Sequence, residues 1–243
     1  IFGIYCIISA IFMLIMYFIE RKEVVNERKE QNDENKLKNE KPISIKYKIA
    51  ITGLAITFFL FSIGTECGFA RLLTTFAVYH DVPGLNKQIG AYMTSAFFIG
   101  FTFFRLVAIF LVHFFGSRIT LVICCALIVA SNLILMFFAN SMIGLWIGVI
   151  LSGFGTSPVF PTLYVLINKY VTITSKISSL FTIGYTSGEF VIPIIISWYI
   201  KEFPMFLIYI TVFVSSISIV LIGILFLIFK VIDRSKSTES DRI

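Results

Sequence analysis

IFGIYCIISAIFMLIMYFI, Ile1 to Ile19, runs straight into ERKEVVNERKEQNDENKLKNEKPISIK, Glu20 to Lys46. The first stretch carries no charge and is as long as a membrane-crossing helix needs, since a bilayer core of about 30 Å takes roughly 20 apolar residues. The second is dense in Lys, Glu and Asn and has too little apolar surface to fold on its own, so it reads as a solvated linker. The first stretch lacks a basic segment before it and a small-residue cleavage site after it, so a signal peptide does not fit. With no initiator methionine ahead of Ile1, it reads as a complete span whose upstream sequence is missing.

Working outward, six further apolar stretches follow at Ile49–Tyr79, Ile89–Phe115, Ile119–Ala139, Ser141–Ile167, Ile177–Ile200 and Phe203–Val231. The hydrophobic fraction is 58% and the mean hydropathy +0.93, against about 45–50% apolar in globular proteins. A water-soluble fold would have too little polar surface to cover so much Phe, Ile and Leu. The chain is therefore expected to be an all-α polytopic membrane protein with the lipid bilayer as its first partner. The net charge of +6 does not imply nucleic acid, because the basic residues sit at span ends and in the linker rather than in one patch. Cys6, Cys67, Cys124 and Cys125 all fall inside apolar stretches, where they read as small buried side chains rather than as a disulfide or zinc framework. Two histidines, no metal-ligand cluster and no nucleophile beside a base argue against an enzyme, and no resident cofactor is expected.

Orientation follows from the bias of Lys and Arg toward the cytoplasm. The linker carries Arg21, Lys22, Arg28, Lys29, Lys36, Lys38, Lys41 and Lys46, and is placed inside. Alternation then puts Arg118, then Lys169 and Lys176, and finally Arg234, Lys236 and Arg242 on the same side. The opposite connections hold only Lys87 and Lys201, so the bias agrees at every loop. The linker and C-terminus are expected to be cytoplasmic, in a multi-pass protein of the plasma membrane. Seven spans with an outer N-terminus also describe a seven-helix receptor, but that class needs a short first cytoplasmic loop. Its D/E-R-Y and N-P-x-x-Y signatures are absent as well.

Five ionisable residues lie well inside the spans: Glu66, Arg71, Arg105, His113 and Glu189. Such residues are costly in lipid and usually face a bundle interior or a water-filled path. Arg105 precedes Arg118 by thirteen positions and Glu189 follows Lys176 by thirteen, so both lie roughly 20 Å from the cytoplasmic face. They are expected to pair or share a network, either locking the bundle or contacting substrate or coupling ion. Arg71, farther out, is expected to snorkel to the outer interface, and His113 to be interfacial. Glu66 stands between Gly64 and Gly68, where small residues permit close helix approach or local unwinding. It reads equally as a cation ligand and as a structural hydrogen-bonding group. Gly144, Gly148, Ser152 and Gly155 make a packing face, and Pro158 and Pro161 after them imply a kink. Gly184 and Gly188 form a second small-residue pair, with Pro193 beyond Glu189.

Three stretches together resemble one family: GTECGFAR (Gly64 to Arg71), GFGTSPVFPT (Gly153 to Thr162) and GEFVIP (Gly188 to Pro193). They resemble helices seven, ten and eleven of the major facilitators, in the sodium-dependent glucose transporter 1-like branch, kin of the fucose permeases. Phe104 replaces the glycine that often precedes the arginine of helix eight, and Gly116 to Arg118 keeps only G-x-R of the fuller loop motif. The resemblance implies a major facilitator fold, with 1–19 the last helix of the N-terminal half, 20–47 the linker, 48–231 the six-helix C-terminal half and 232–243 a tail. The rest of the N-terminal half would then be a missing partner, and this chain alone should not transport. Charge-free helices nine and twelve would face lipid, while seven, eight, ten and eleven border the cavity. The implied activity is movement of a small-molecule solute, a hexose such as glucose, by alternating access. Sodium is the candidate coupling ion, at Glu66 or Glu189. Glu66, Glu189 and Arg105 are the candidate pathway residues and Tyr185 a sugar-stacking candidate. Gly64, Gly68, Gly153, Gly155, Pro158, Pro161, Gly188 and Pro193 are the candidate helix-break and packing positions, and Trp198 reads as an interfacial anchor. A facilitator for another solute, coupled to protons or uncoupled, and a non-transporting sensor on the same fold stay open.

Overall fold

The computed structural model describes the backbone of residues 45–240 and the side chains of 47–232. The expected first span, Ile1–Ile19, and nearly all of the linker lie outside the described residues. The helices are α1 (Ile45–Tyr79), α2 (Lys87–Phe138), α3 (Met142–Thr156), α4 (Val159–Asn168), α5 (Ser175–Tyr199) and α6 (Phe206–Ser240). Helices α1 and α6 run past the expected span ends at Ile49 and Val231.

Helix α2 has 52 residues, which would make a rod about 78 Å long, more than twice the thickness of a bilayer core. Gly116 divides it: its φ of 79° and ψ of 161° are open to glycine and to almost no other residue. The two arms on either side of Gly116 match the two spans read from the sequence. Asn86 starts the first arm by accepting a hydrogen bond from the Ile89 amide through its side chain at 2.9 Å.

The arms run in opposite directions, as their packing on α3 shows. Gly153 lies against the Phe97 carbonyl and Ser157 donates to the Phe101 carbonyl at 2.6 Å, so α3 advances with the first arm. Gly148 lies against Leu135 and Gly155 against Ile128, so α3 runs counter to the second arm. Helices α1 and α5 are parallel neighbours, with Gly184 on Ile56, Gly188 on Leu60, and Gly68 on Ile196. At Gly188 a Cβ would overlap the Leu60 carbonyl, and at Gly64 it would come within 2.6 Å of the Gly188 carbonyl. This is the close approach that small residues allow where lipid offers helices no hydrophobic drive to associate.

Ser141–Ile167, expected as one kinked span, is two helices meeting at Ser157 and Pro158. Pro158 and Pro161 have no N–H to give to the carbonyls of Phe154 and Ser157, so the helical ladder lapses there. The Ser157 hydroxyl ties the break to the first arm of α2.

A core of Phe69, Leu73, Phe76, Met93, Phe97, Leu145, Ile196 and Leu207 joins α1, α2, α3, α5 and α6. Large apolar side chains such as Phe114, Phe137, Phe190 and Trp198 point outward, the pattern of a bundle solvated by lipid. At one end Arg118 hydrogen-bonds the Tyr170 hydroxyl, and Tyr170 stacks on Phe229 with 4.2 Å between centroids. At the other end a His80 ring nitrogen lies 3.3 Å from the Ala139 carbonyl. Among the described residues, the connections beside Arg118 and Lys169 thus meet at one end of the bundle.

Candidate functional site

A recess of about 350 Å³ opens on the bundle, lined by Ile63, Glu66, Phe101, Arg105, Ser157, Phe160, Tyr164, Ser178, Phe181, Thr182 and Tyr185. These residues come from α1, the first arm of α2, the α3–α4 break, α4 and α5. The second arm of α2 and α6, the two charge-free spans of the sequence, contribute nothing to it. Its volume falls within the range of small-molecule sites, about 300–1,000 Å³.

Two aromatic pairs build the wall. Phe160 and Tyr164 on α4 stand four residues apart, as do Phe181 and Tyr185 on α5, and that spacing brings each pair onto one helix face. Phe160 lies 6.1 Å from Tyr185 and Tyr164 lies 6.1 Å from Phe181, centroid to centroid. Phe59 of α1 backs both, at 4.7 Å from Phe160 and 5.3 Å from Phe181. Opposite charges line the same recess: Glu66 on α1 and Arg105 on α2, whose guanidinium carbon stands 5.5 Å from the Phe101 ring centroid. Aromatic faces, a cation and a carboxylate around one space can hold a polar, ring-shaped solute by stacking and hydrogen bonding.

The structure brings Glu66, Arg105 and Tyr185 together but leaves Glu189 outside this group. The expected Arg105–Glu189 pair is replaced by an ion pair between Arg71 and Glu189. Equal depth fixed only one coordinate of the two side chains. Glu189 follows Gly188, which seats α5 directly on α1 and so brings the carboxylate to Arg71 of that helix, while Arg105 lies over Phe101. Arg71 accordingly turns to α5 rather than to the outer interface. Around Glu66 the helix is continuous through Gly64 and Gly68, so no backbone carbonyl is released there and the glycines serve close approach. Pro193 lies inside α5 and leaves the Glu189 carbonyl without its helical N–H. His113 is exposed near the end of the first arm, with its ring against Phe114.

Sequence reading missed the aromatic wall of Phe101, Phe160, Tyr164 and Phe181, although the paired four-residue spacing on two spans was visible. It also missed a second, smaller pocket lined by Glu66 together with Asn132, Ser152, Thr156, Thr211 and Ser215. Its signal was Asn132, a lone amide within a charge-free span.

A bundle of long apolar helices with large apolar side chains on its outer face is a multi-pass membrane protein. The family model of the Major Facilitator Superfamily matches residues 1–193 and, again, 87–242, and the chain belongs to that family. It is 27% identical over 207 residues to sodium-dependent glucose transporter 1 of Xenopus laevis, covering 84% of this chain and 40% of the relative. It is 30% identical over 159 residues to sodium-dependent glucose transporter 1 of Homo sapiens, covering 65% of this chain and 30% of the relative. The chain thus spans well under half the length of these relatives, which are transporters rather than enzymes. Its fold is also that of the POT family transporter PepTSo, with a TM-score of 0.65, 17% identity and coverage of 72% of this chain and 37% of the other.

Proposed function

We propose that this chain supplies the C-terminal half of a secondary transporter that moves a hexose such as glucose by alternating access, coupled to sodium. The observation that carries the reading is the recess itself, walled only by α1, the first arm of α2, the α3–α4 segment and α5. In a two-halved transporter such a surface forms one side of a central binding site, and the other half of the protein closes it. Phe160, Tyr164 and Tyr185 offer faces on which a pyranose ring stacks, while Arg105 and Glu66 bond its hydroxyls. The names of the similar relatives favour glucose and sodium over other solutes and ions. The linker and C-terminus belong on the cytoplasmic side of the plasma membrane, a placement supported by the basic residues beside the Gly116 and Lys169–Lys176 connections.

The test is uptake of labelled glucose by the full-length protein, with sodium replaced by choline at two pH values. Sodium-dependent uptake is expected. Absence of uptake of any hexose would remove the substrate, and uptake unchanged in choline would remove sodium coupling.

A further inference from the structure

Glu66 lines two cavities at once. On one side is the recess with Arg105; on the other is a smaller pocket of about 30 Å³ between α1, the second arm of α2, α3 and α6. That is room for one water-sized body. Asn132, Ser152, Thr211 and Ser215 are buried in its lining.

Most of the hydroxyl donors in this pocket are committed to backbone carbonyls of their own helices. Thr211 donates to the Leu207 carbonyl at 2.7 Å, Ser215 to the Thr211 carbonyl at 2.5 Å, and Thr156 to the Ser152 carbonyl at 2.9 Å. Asn132 gives its amide hydrogen to the Ser215 oxygen at 2.5 Å. The lone pairs of these hydroxyls and of the Asn132 carbonyl are left to face the space, together with the Glu66 carboxylate. Arg105 does not line this pocket, so its positive charge acts only from the recess side.

A small space that gathers hydroxyl and amide oxygens around a carboxylate favours a positive charge inside it. Hard oxygen donors suit an alkali or alkaline-earth cation rather than a soft metal, and a single carboxylate balances a single charge. We infer that the pocket behind Glu66 is a sodium site, distinct from the sugar recess and separated from it by that one carboxylate.

This inference rests on the transport reading above and places the coupling ion at Glu66 rather than at Glu189, which Arg71 already neutralises. It also supplies a route for coupling. An ion in the pocket draws the Glu66 charge away from the recess and leaves the Arg105 guanidinium freer to bond a sugar hydroxyl. By linkage, sugar in the recess then tightens ion binding by the same factor.

The test uses full-length protein, with melting temperature followed against sodium chloride at an ionic strength held constant with choline chloride. Wild type is expected to be stabilised by sodium. Ser215→Ala and Thr156→Val should fold in choline yet need about tenfold or more sodium for the same response. An unchanged sodium response in both variants overturns the site while leaving sodium coupling intact. No sodium response in wild type overturns the site and the coupling together, whereas hexose stabilisation tests the substrate separately. A second measurement needs no variant: thallium(I), a heavy monovalent stand-in, should give an anomalous scattering peak in the pocket. A peak beside Glu189, or no peak in the pocket, overturns the assignment.

Discussion

Glu189 of α5 is ion-paired with Arg71 of α1, two turns beyond Gly64, although Arg105 stands at the depth expected for its partner. The pair joins the two helices that pack most closely through glycine. Arg71 is 57% exposed and Glu189 24%, so solvent screens the pair and its contribution is modest. Arg71→Met and Glu189→Gln should each lower the melting temperature slightly, and a double-mutant cycle should return a coupling of about 0.5–1 kcal/mol. The reversed pair, Arg71→Glu with Glu189→Arg, should recover most of the loss. A null coupling, or a cycle in which Arg105→Gln couples to Glu189 instead, would show that the charges are partnered otherwise.

Contact at Gly188 is backbone against backbone, since a Cβ there would overlap the Leu60 carbonyl. Gly188→Ala must therefore separate α1 from α5, and overpacking of this kind costs about 1–3 kcal/mol. Gly53, on the same α1, has nothing within 4 Å of the position of a Cβ, so Gly53→Ala is the matched control and should be neutral or slightly stabilising. Thermal unfolding of the two variants side by side separates steric cost from helix propensity.

Much of this architecture is legible in the sequence. Among the described residues, the existence of the spans and the break at Gly116 follow from length, apolar runs and glycine, which act locally along the chain. The kink at Pro158 and Pro161 was legible too, because a missing N–H needs no knowledge of neighbours. Side-chain partners were not. Helical rise gives depth from sequence position, but which way Arg105 and Glu189 face depends on how four helices rotate against one another. That rotation is set by contacts such as Gly188 on Leu60 and Gly153 on Phe97, between residues far apart in sequence. The polar pocket was hidden for the same reason: Asn132 and Ser215 meet only after the second arm of α2 and α6 pack.

Gly116 offers the opposite case to Gly188. Its φ of 79° with ψ of 161° is a glycine conformation, yet nothing lies within 4 Å of the position its Cβ would take. Gly116→Ala should thus cost about 1–3 kcal/mol through backbone strain alone. A larger side chain should cost little more, because space is open. A steep rise from alanine to leucine in chemical or thermal unfolding would mean that crowding, not backbone conformation, sets the requirement.

Arg105 is held over Phe101 at the edge of the recess, so its guanidinium is planar, stacked and aimed where a solute would lie. Arg105→Lys keeps the charge but loses the planar fork and most of the stacking. If the guanidinium binds solute equally in the loaded and the translocating states, the change appears in KM with little effect on kcat. A cation–π contact is worth about 0.5–2 kcal/mol, which corresponds to a rise in KM of about 2- to 30-fold. Phe101→Leu should raise KM similarly by releasing the guanidinium, and the double variant should be no worse than Arg105→Lys alone. Additive effects in labelled-sugar uptake would show that Phe101 contacts the solute itself rather than positioning Arg105. A fall in kcat at constant KM would instead place Arg105 in the rocking step between the two halves.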